Sequence, residues 1–242
     1  MSTDLIATTW SHTSYSDIWE MYYSQFKKHA PFFKHYLMVN ETTEEIPKSC
    51  TPIFNEENET FSNRLTHCLQ TLDCKNILYM QEDFVLFDDV EEEKIRELVD
   101  YLNNSNFSFI RLIKAGVIGN SSTLIDEKLG LYECPMNCPY YFSLQPTIWK
   151  RKDMINLFKF FQPKSMRESE IQGSAVCRSS NIRGVYVYHG EKKRGRMHYD
   201  SDIFPHISTA VQAGKWQTEL YPIKLRKLLK EYKIDPKLRG EA

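Results

Sequence analysis

Asn76-Ile-Leu-Tyr-Met-Gln-Glu-Asp83 is the stretch whose reading decides the fold. Its short apolar run, Ile77 to Met80, predicts a strand buried on both faces, as in a parallel sheet covered by helices. Two carboxylates, Glu82 and Asp83, arrive where that strand ends. Adjacent carboxylates repel, so the pair calls for a cation between them or for water around them. A Mg²⁺ or Mn²⁺ ion held by one or two carboxylates, with phosphate oxygens completing its shell, fits the first arrangement. A solvated acidic turn leading into Asp88 to Glu93 fits the second, and the local sequence leaves both open.

Working outward, Leu5-Ile-Ala-Thr-Thr9 reads as a buried strand and Tyr15 to Lys28 as an aromatic-rich helix. Pro31 breaks that helix before a second strand, His35 to Asn40, and Thr51 to Phe54 is a weaker third. Phe61, Leu65, Cys68, Leu69 and Leu72 recur at helical spacing, with Asn58 or Thr60 placed to cap. Glu91 to Leu102 is a helix whose acidic first turn suits the positive end of its dipole. Strands alternating with helices predict an α/β fold with a mainly parallel central sheet, whose ligands bind at the carboxyl ends of the strands.

Past residue 105 the pattern loosens. Ser108 to Ile113 and Val185 to Tyr188 read as strands, and residues 115 to 140 as hairpins and loops. Arg151 to Phe161 and Ile223 to Tyr232 read as helices, the second basic. A single domain over 1–242 is the simplest account.

With 242 residues, 41% of them hydrophobic, the chain has ample material for a packed core. A net charge of -1 gives no global pull toward nucleic acid, and none is expected as a partner. No apolar run reaches the roughly 20 residues that span a bilayer. The opening Met1-Ser-Thr-Asp4 lacks a secretory pattern, so a cytoplasmic location is expected, that of the host if the source is a virus. Six cysteines without a secretory context read as reduced thiols, and Cys134-Pro-Met-Asn-Cys138 does not have zinc-knuckle spacing.

Phe61-Ser-Asn-Arg-Leu65, a helix, and then the Asn76–Asp83 strand resemble the donor half of GT-A-fold nucleotide-sugar glycosyltransferases of the small bacterial and viral type. The resemblance implies a Rossmann-like sheet, with residues 1–104 as the donor half and 105–242 as an irregular acceptor half. Gln81-Glu82-Asp83 stands at the family's Asp-x-Asp-like motif, with Gln81 in place of the usual first Asp. It makes Asp83 the principal metal ligand and Glu82 its auxiliary. It also implies that Thr8, Thr9 and Trp10 line the nucleotide-base pocket and that Arg64 meets the donor. A surface ion pair is the other reading of Arg64.

Three later blocks extend the resemblance. Tyr141-Phe-Ser-Leu-Gln-Pro-Thr-Ile-Trp-Lys150 is similar to the acceptor segment, which implies that Gln145 and Trp149 meet the acceptor sugar. An indole beside an amide suits a sugar's apolar faces and hydroxyls, and a core tryptophan is the alternative. Ser165-Met-Arg-Glu-Ser-Glu170 resembles the late acidic segment, with Met166-Arg167 where an aromatic is usual. Residues two apart on a helix face different ways, so at most one of these carboxylates is the base. The resemblance favours Glu170, with Glu168 on the acceptor side, and a retaining enzyme would need neither. The alternative is an ordinary charged helix. His189-Gly-Glu-Lys-Lys-Arg-Gly-Arg-Met-His198 suits a phosphate clamp through Lys193, Arg194 and Arg196. There the resemblance makes His189 a metal ligand and His198 its second candidate. A solvated loop is the other reading.

The basic C-terminal helix either packs on the domain or makes weak contact with an anionic membrane carrying a lipid-linked acceptor. The function implied is a metal-dependent hexosyl- or deoxyhexosyltransferase. It would move a sugar from a nucleoside-diphosphate sugar, UDP being the commonest carrier, to a glycan or other hydroxyl acceptor. A nucleotidyltransferase would want a glycine-rich loop with a lysine after the first strand, and Thr8-Thr-Trp-Ser-His-Thr13 has neither. A catalytically inactive carbohydrate-binding module on the same sheet is the remaining alternative.

Overall fold

The computed structural model describes residues 4–119, 122–163, 165–195 and 198–241. In chain order its first half runs β1 (Leu5–Trp10), α1 (Ser16–His29), β2 (His35–Asn40), β3 (Thr51–Asn55), α2 (Phe61–Gln70), β4 (Asn76–Gln81), β5 (Val85–Leu86) and α3 (Glu92–Asn103). A 3-10 turn, Thr13–Tyr15, joins β1 to α1. The second half runs β6 (Phe109–Arg111), β7 (Leu124–Asp126), β8 (Leu131–Glu133), β9 (Thr147–Lys150), α4 (Arg151–Lys159), α5 (Met166–Ser179) and β10 (Gly184–Val187). Short pieces follow: β11 (Lys193–Arg194), β12 (His198–Tyr199), β13 (His206–Ile207), β14 (Val211–Gln212), β15 (Lys215–Trp216), then α6 (Pro222–Glu231) and α7 (Pro236–Arg239).

Nine strands form one continuous sheet in the order β3-β2-β1-β4-β9-β6-β10-β8-β7. The pairs β3/β2, β2/β1, β1/β4 and β6/β10 are parallel, while β9, β8 and β7 pair antiparallel with their neighbours. Every residue of β4 from Asn76 to Met80 is buried, because helices cover both faces of the sheet. Alternate side chains divide between two cores. Leu78 and Met80 pack with α1, α3 and α6, whereas Ile77 and Tyr79 pack with α2, α4 and α5. Thr60 caps α2, its Oγ1 accepting from Asn63 N at 3.2 Å.

Chain direction decides where a ligand can sit. From β1 the chain moves outward to β2 and β3, then returns to the other side of β1 as β4. The neighbours β1 and β4 are therefore the topological switch point, and a crevice opens beyond their carboxyl ends.

One strand was not read from the sequence. Thr147 to Lys150 leads into α4, as the sequence reading has it, but is itself β9, an antiparallel strand between β4 and β6. Its Trp149 lies opposite both Ile77 and Phe109. The C-terminal helix packs on the domain: α6 buries Leu225, Leu228 and Leu229. All six cysteines are free thiols. Among the described residues, no helix is long and apolar enough to cross a membrane.

Candidate active site

A cleft of about 580 Å³ lies at that switch point. Trp10, Ser11, His12 and Tyr15 form one wall, where β1 passes into the 3-10 turn. The turn after β4 supplies the floor, Gln81 to Phe84. Tyr140, Ser143, Leu144 and Gln145 face Trp10 together with Met166, Arg167 and Glu170 of α5. Thr209 and the β14–β15 hairpin, through Val211, Gln212 and Ala213, form a roof.

The floor carries the unusual electrostatics. Glu82 is 6% exposed and Asp83 is 8% exposed. Asp83 Oδ1 is buried without a hydrogen-bond partner, while the Asp83 backbone carbonyl accepts from Ala210 N at 2.8 Å. Burial raises both carboxyls above the usual carboxylate range. The neighbouring Asp83 charge pushes Glu82 further, and a bond from Ser11 pulls it back. Such a pair gains from a divalent cation, and the orphaned Asp83 oxygen is a ligand atom in want of a partner.

Glu170 reaches the same cleft from α5, its Oε1 accepting from Leu144 N at 3.1 Å. Burial raises it too, against the Leu144 hydrogen bond and the charge of Arg111. A carboxylate tuned upward is suited to taking a proton near neutral pH. Gln81, which stands where an Asp was expected, donates from Nε2 to Met166 Sδ at 2.7 Å and so ties the strand end to α5.

Backbone strain gathers here. Tyr140 (φ 56°), Thr209 (φ 60°) and Ala213 (φ 50°) line the cleft, and only two other described non-glycine residues have positive φ. For a β-branched threonine this conformation is an outlier, the kind that persists where the surrounding structure over-determines it.

Of the residues singled out in sequence, the cleft brings together Trp10, Glu82, Asp83, Gln145 and Glu170. The others stand elsewhere. Thr8 and Thr9 are fully buried in β1. Thr8 Oγ1 donates to Leu78 O at 3.2 Å, and Thr9 Oγ1 bonds both Tyr22 OH (2.6 Å) and His35 Nε2 (2.7 Å). Their hydroxyls are spent inside the core. Arg64 donates from Nε to Asn55 Oδ1 at 2.6 Å and lies 5.2 Å from the Trp10 ring centroid, lining a separate depression. Trp149 is 1% exposed, wedged against Phe109 and Phe142 in the core. Glu168 accepts from Gln172 Nε2 at 2.6 Å on a flank of α5 that does not line the cleft.

The basic loop is the largest relocation. Lys193 Nζ donates to Gly116 O at 2.9 Å, and Arg194 Nε donates to both oxygens of Asp200 at 3.0 Å. Neither lines the cleft, although Lys193 braces the segment that carries the cleft residues Ala115 and Val117. His189 is exposed, with its ring against Gly130, where an added Cβ would meet it at 2.3 Å. His198 is wholly buried. Arg196 lies outside the described residues. Among the described residues Arg167 is the only lysine or arginine lining the cleft. His12, Tyr15, Tyr140, Thr209 and Gln212 were not singled out, because loop residues far apart in sequence meet only after the sheet is built.

The architecture belongs to the Rossmann-like, GT-A-like class of α/β folds. A cytidylyltransferase from Leptospira borgpetersenii serovar Hardjo-bovis (strain JB197) superposes with a TM-score of 0.52, at 11% identity, over 97% of each chain. A CMP:2-keto-3-deoxy-manno-octonic acid synthetase in complex with CTP matches at a TM-score of 0.48 and 10% identity, over 76% of this chain and 88% of that one. S. aureus TarS matches at 0.49 and 8% identity, over 82% of this chain and 36% of that one. No protein-family model matches the sequence, and no curated protein matches it.

Proposed function

We propose that the protein is a metal-dependent glycosyltransferase. It would move a hexosyl or deoxyhexosyl group from a nucleoside-diphosphate sugar, a UDP-sugar first among candidates, to a hydroxyl of a glycan or lipid-linked acceptor. One observation carries this reading: a buried carboxylate pair with an orphaned Asp83 oxygen faces a third carboxylate, Glu170, across a cleft at the switch point. On this reading residues 1–104 form the donor half and 105–242 the acceptor half of one domain.

Asp83 and Glu82 would hold Mn²⁺ or Mg²⁺. When bound, the ion neutralises charge on the donor diphosphate. The lining of the cleft supports a part for the cation: Glu82, Asp83 and Glu170, once ionised, oppose a single described arginine, Arg167, and disfavour a bare diphosphate. Tyr15 offers its ring to the base, beside the largely buried Trp10 on the same wall. Gln145 and Ser143 offer directional bonds to sugar hydroxyls. Glu170, seated by Leu144 N–H, takes the proton from the acceptor hydroxyl as that oxygen attacks the anomeric carbon and the nucleoside diphosphate leaves.

A nucleotidyltransferase is the second reading, favoured by the superposition on a cytidylyltransferase. Against it, Ser11 to Tyr15 beyond β1 contains neither glycine nor lysine. A thermal-shift panel separates the two: UDP-, GDP-, dTDP- and CMP-sugars beside CTP and UTP, each with and without Mn²⁺. A ligand at a hundredfold excess over its Kd stabilises by about 2.7 kcal/mol. A manganese-dependent shift with one nucleotide sugar, followed by release of its nucleotide on adding acceptor glycans, supports glycosyl transfer. A shift with a nucleoside triphosphate and pyrophosphate release with a sugar acid or sugar phosphate supports the second reading. No shift at all favours the inactive binding module.

A further inference from the structure

Two walls of the cleft come from distant parts of the chain, the His12–Tyr15 turn and the β14–β15 hairpin. The last described residues touch both. Arg239, ending α7, donates from Nη2 to Ser14 O at 3.0 Å and from Nε to Asp17 Oδ2 at 3.1 Å. A further bond joins Nη2 to Asp17 Oδ1, and the guanidinium lies 4.7 Å from the centroid of the Tyr15 ring. Although α7 buries no residue, the Arg239 side chain is only 14% exposed. Directly after it, Gly240 O accepts from Trp216 N at 2.9 Å, and Glu241 bridges Trp216 as a parallel partner. The Glu241 carboxylate then accepts from Thr218 Oγ1 and, at 2.8 Å, from Arg226 Nη2. Gly240 makes the turn between the two attachments at φ 84°, a conformation side chains resist.

Polar contacts, and not apolar burial, therefore hold this segment: on one side to the His12–Tyr15 turn and the start of α1, on the other to the β14–β15 hairpin, Thr218 and α6. We propose that residues 236–241 are a clasp joining the donor-side wall to the roof, with Arg239 the positioning residue that keeps Tyr15 at the cleft for the donor's base. The part played by the base rests on the glycosyl-donor reading; the clasp itself does not.

The test uses full-length Arg239→Ala, Arg239→Lys and Asp17→Asn, read by amide hydrogen exchange and by titration with UDP in the presence of Mn²⁺. These contacts lie at the end of the chain, outside the two hydrophobic cores, and circular dichroism of each variant is expected to match the parent. Exchange at Thr13 to Asp17 is expected to quicken several-fold in Arg239→Ala and Asp17→Asn, and no further in the double variant. UDP affinity falls about tenfold in Arg239→Ala, the size of one well-placed contact, while kcat at saturating donor holds. Arg239→Lys keeps the charge over Tyr15 but cannot make both bonds, so it falls between. Unchanged exchange overturns the clasp, whatever UDP does. Faster exchange with unaltered UDP affinity overturns the positioning role of Arg239. If the unmodified protein binds no UDP, the base contact falls, and the exchange result still decides the clasp.

Discussion

Leu144 donates its backbone N–H to Glu170 Oε1 at 3.1 Å, and that bond seats the carboxylate in a wall with no regular secondary structure. Side chains stand in for a strand ladder along this wall. Phe142 N donates to Ser174 Oγ at 3.0 Å, and the buried Arg111 donates from Nη2 to the carbonyls of Tyr140 and Tyr141. Backbone groups of this loop are thereby paired without a strand ladder.

Glu170→Gln keeps an oxygen for the Leu144 amide and removes the proton acceptor. The expected result is a melting curve close to the parent, unchanged donor affinity, and transfer slowed about 10²–10⁴-fold, the usual span for losing a general base. Transfer at the parental rate would remove Glu170 from the mechanism and point to a retaining chemistry without a base.

Asp83→Asn tests the floor. Burial is what raises this carboxyl, so in chelator at pH 8 the charge costs stability and the amide does not. The variant is expected to melt no lower than the parent without metal, yet to lose the shift that Mn²⁺ gives. A manganese shift as large as the parent's would show that the ion binds elsewhere.

The sheet was legible because its signals are local: an apolar run that ends in Glu82-Asp83, and strands alternating with capped helices. Trp149 was not. Thr147-Ile-Trp-Lys150 is too short to show a period, and Pro146 before it resembles a helix lead-in as much as a strand boundary. The basic loop was recognised by composition, but composition does not say that Lys193 turns to Gly116 and Arg194 to Asp200. The roof hairpin has two-residue strands, which carry no periodicity to read.

Trp149→Phe checks that correction. The indole Nε1 is buried without a partner, so phenylalanine removes an unsatisfied donor while leaving a small void. These effects oppose each other, and stability is expected to move by no more than about 1 kcal/mol. Acceptor KM should not move. A many-fold rise in acceptor KM, with the fold intact by circular dichroism, would restore Trp149 as a sugar platform.

His35 gives the fold a measurable pH dependence. Its ring is 5% exposed, with Nε2 on Thr9 Oγ1 at 2.7 Å, and burial lowers its pKa to about 3. The unfolded chain titrates near 6.5, so between those values it binds a proton that the folded chain refuses. Stability from this group is therefore full above about pH 6.5 and is lost on acidification, by about 1.4 kcal/mol per pH unit. His35→Gln keeps a polar partner for Thr9 and does not titrate. Chemical denaturation at pH 6.5, 5.5 and 4.5 should show the parent losing stability relative to His35→Gln at about that slope. Other groups cancel in the difference. A flat difference would mean that His35 accepts its proton in the folded state, and that the Thr9–Tyr22–His35 cluster opens to water.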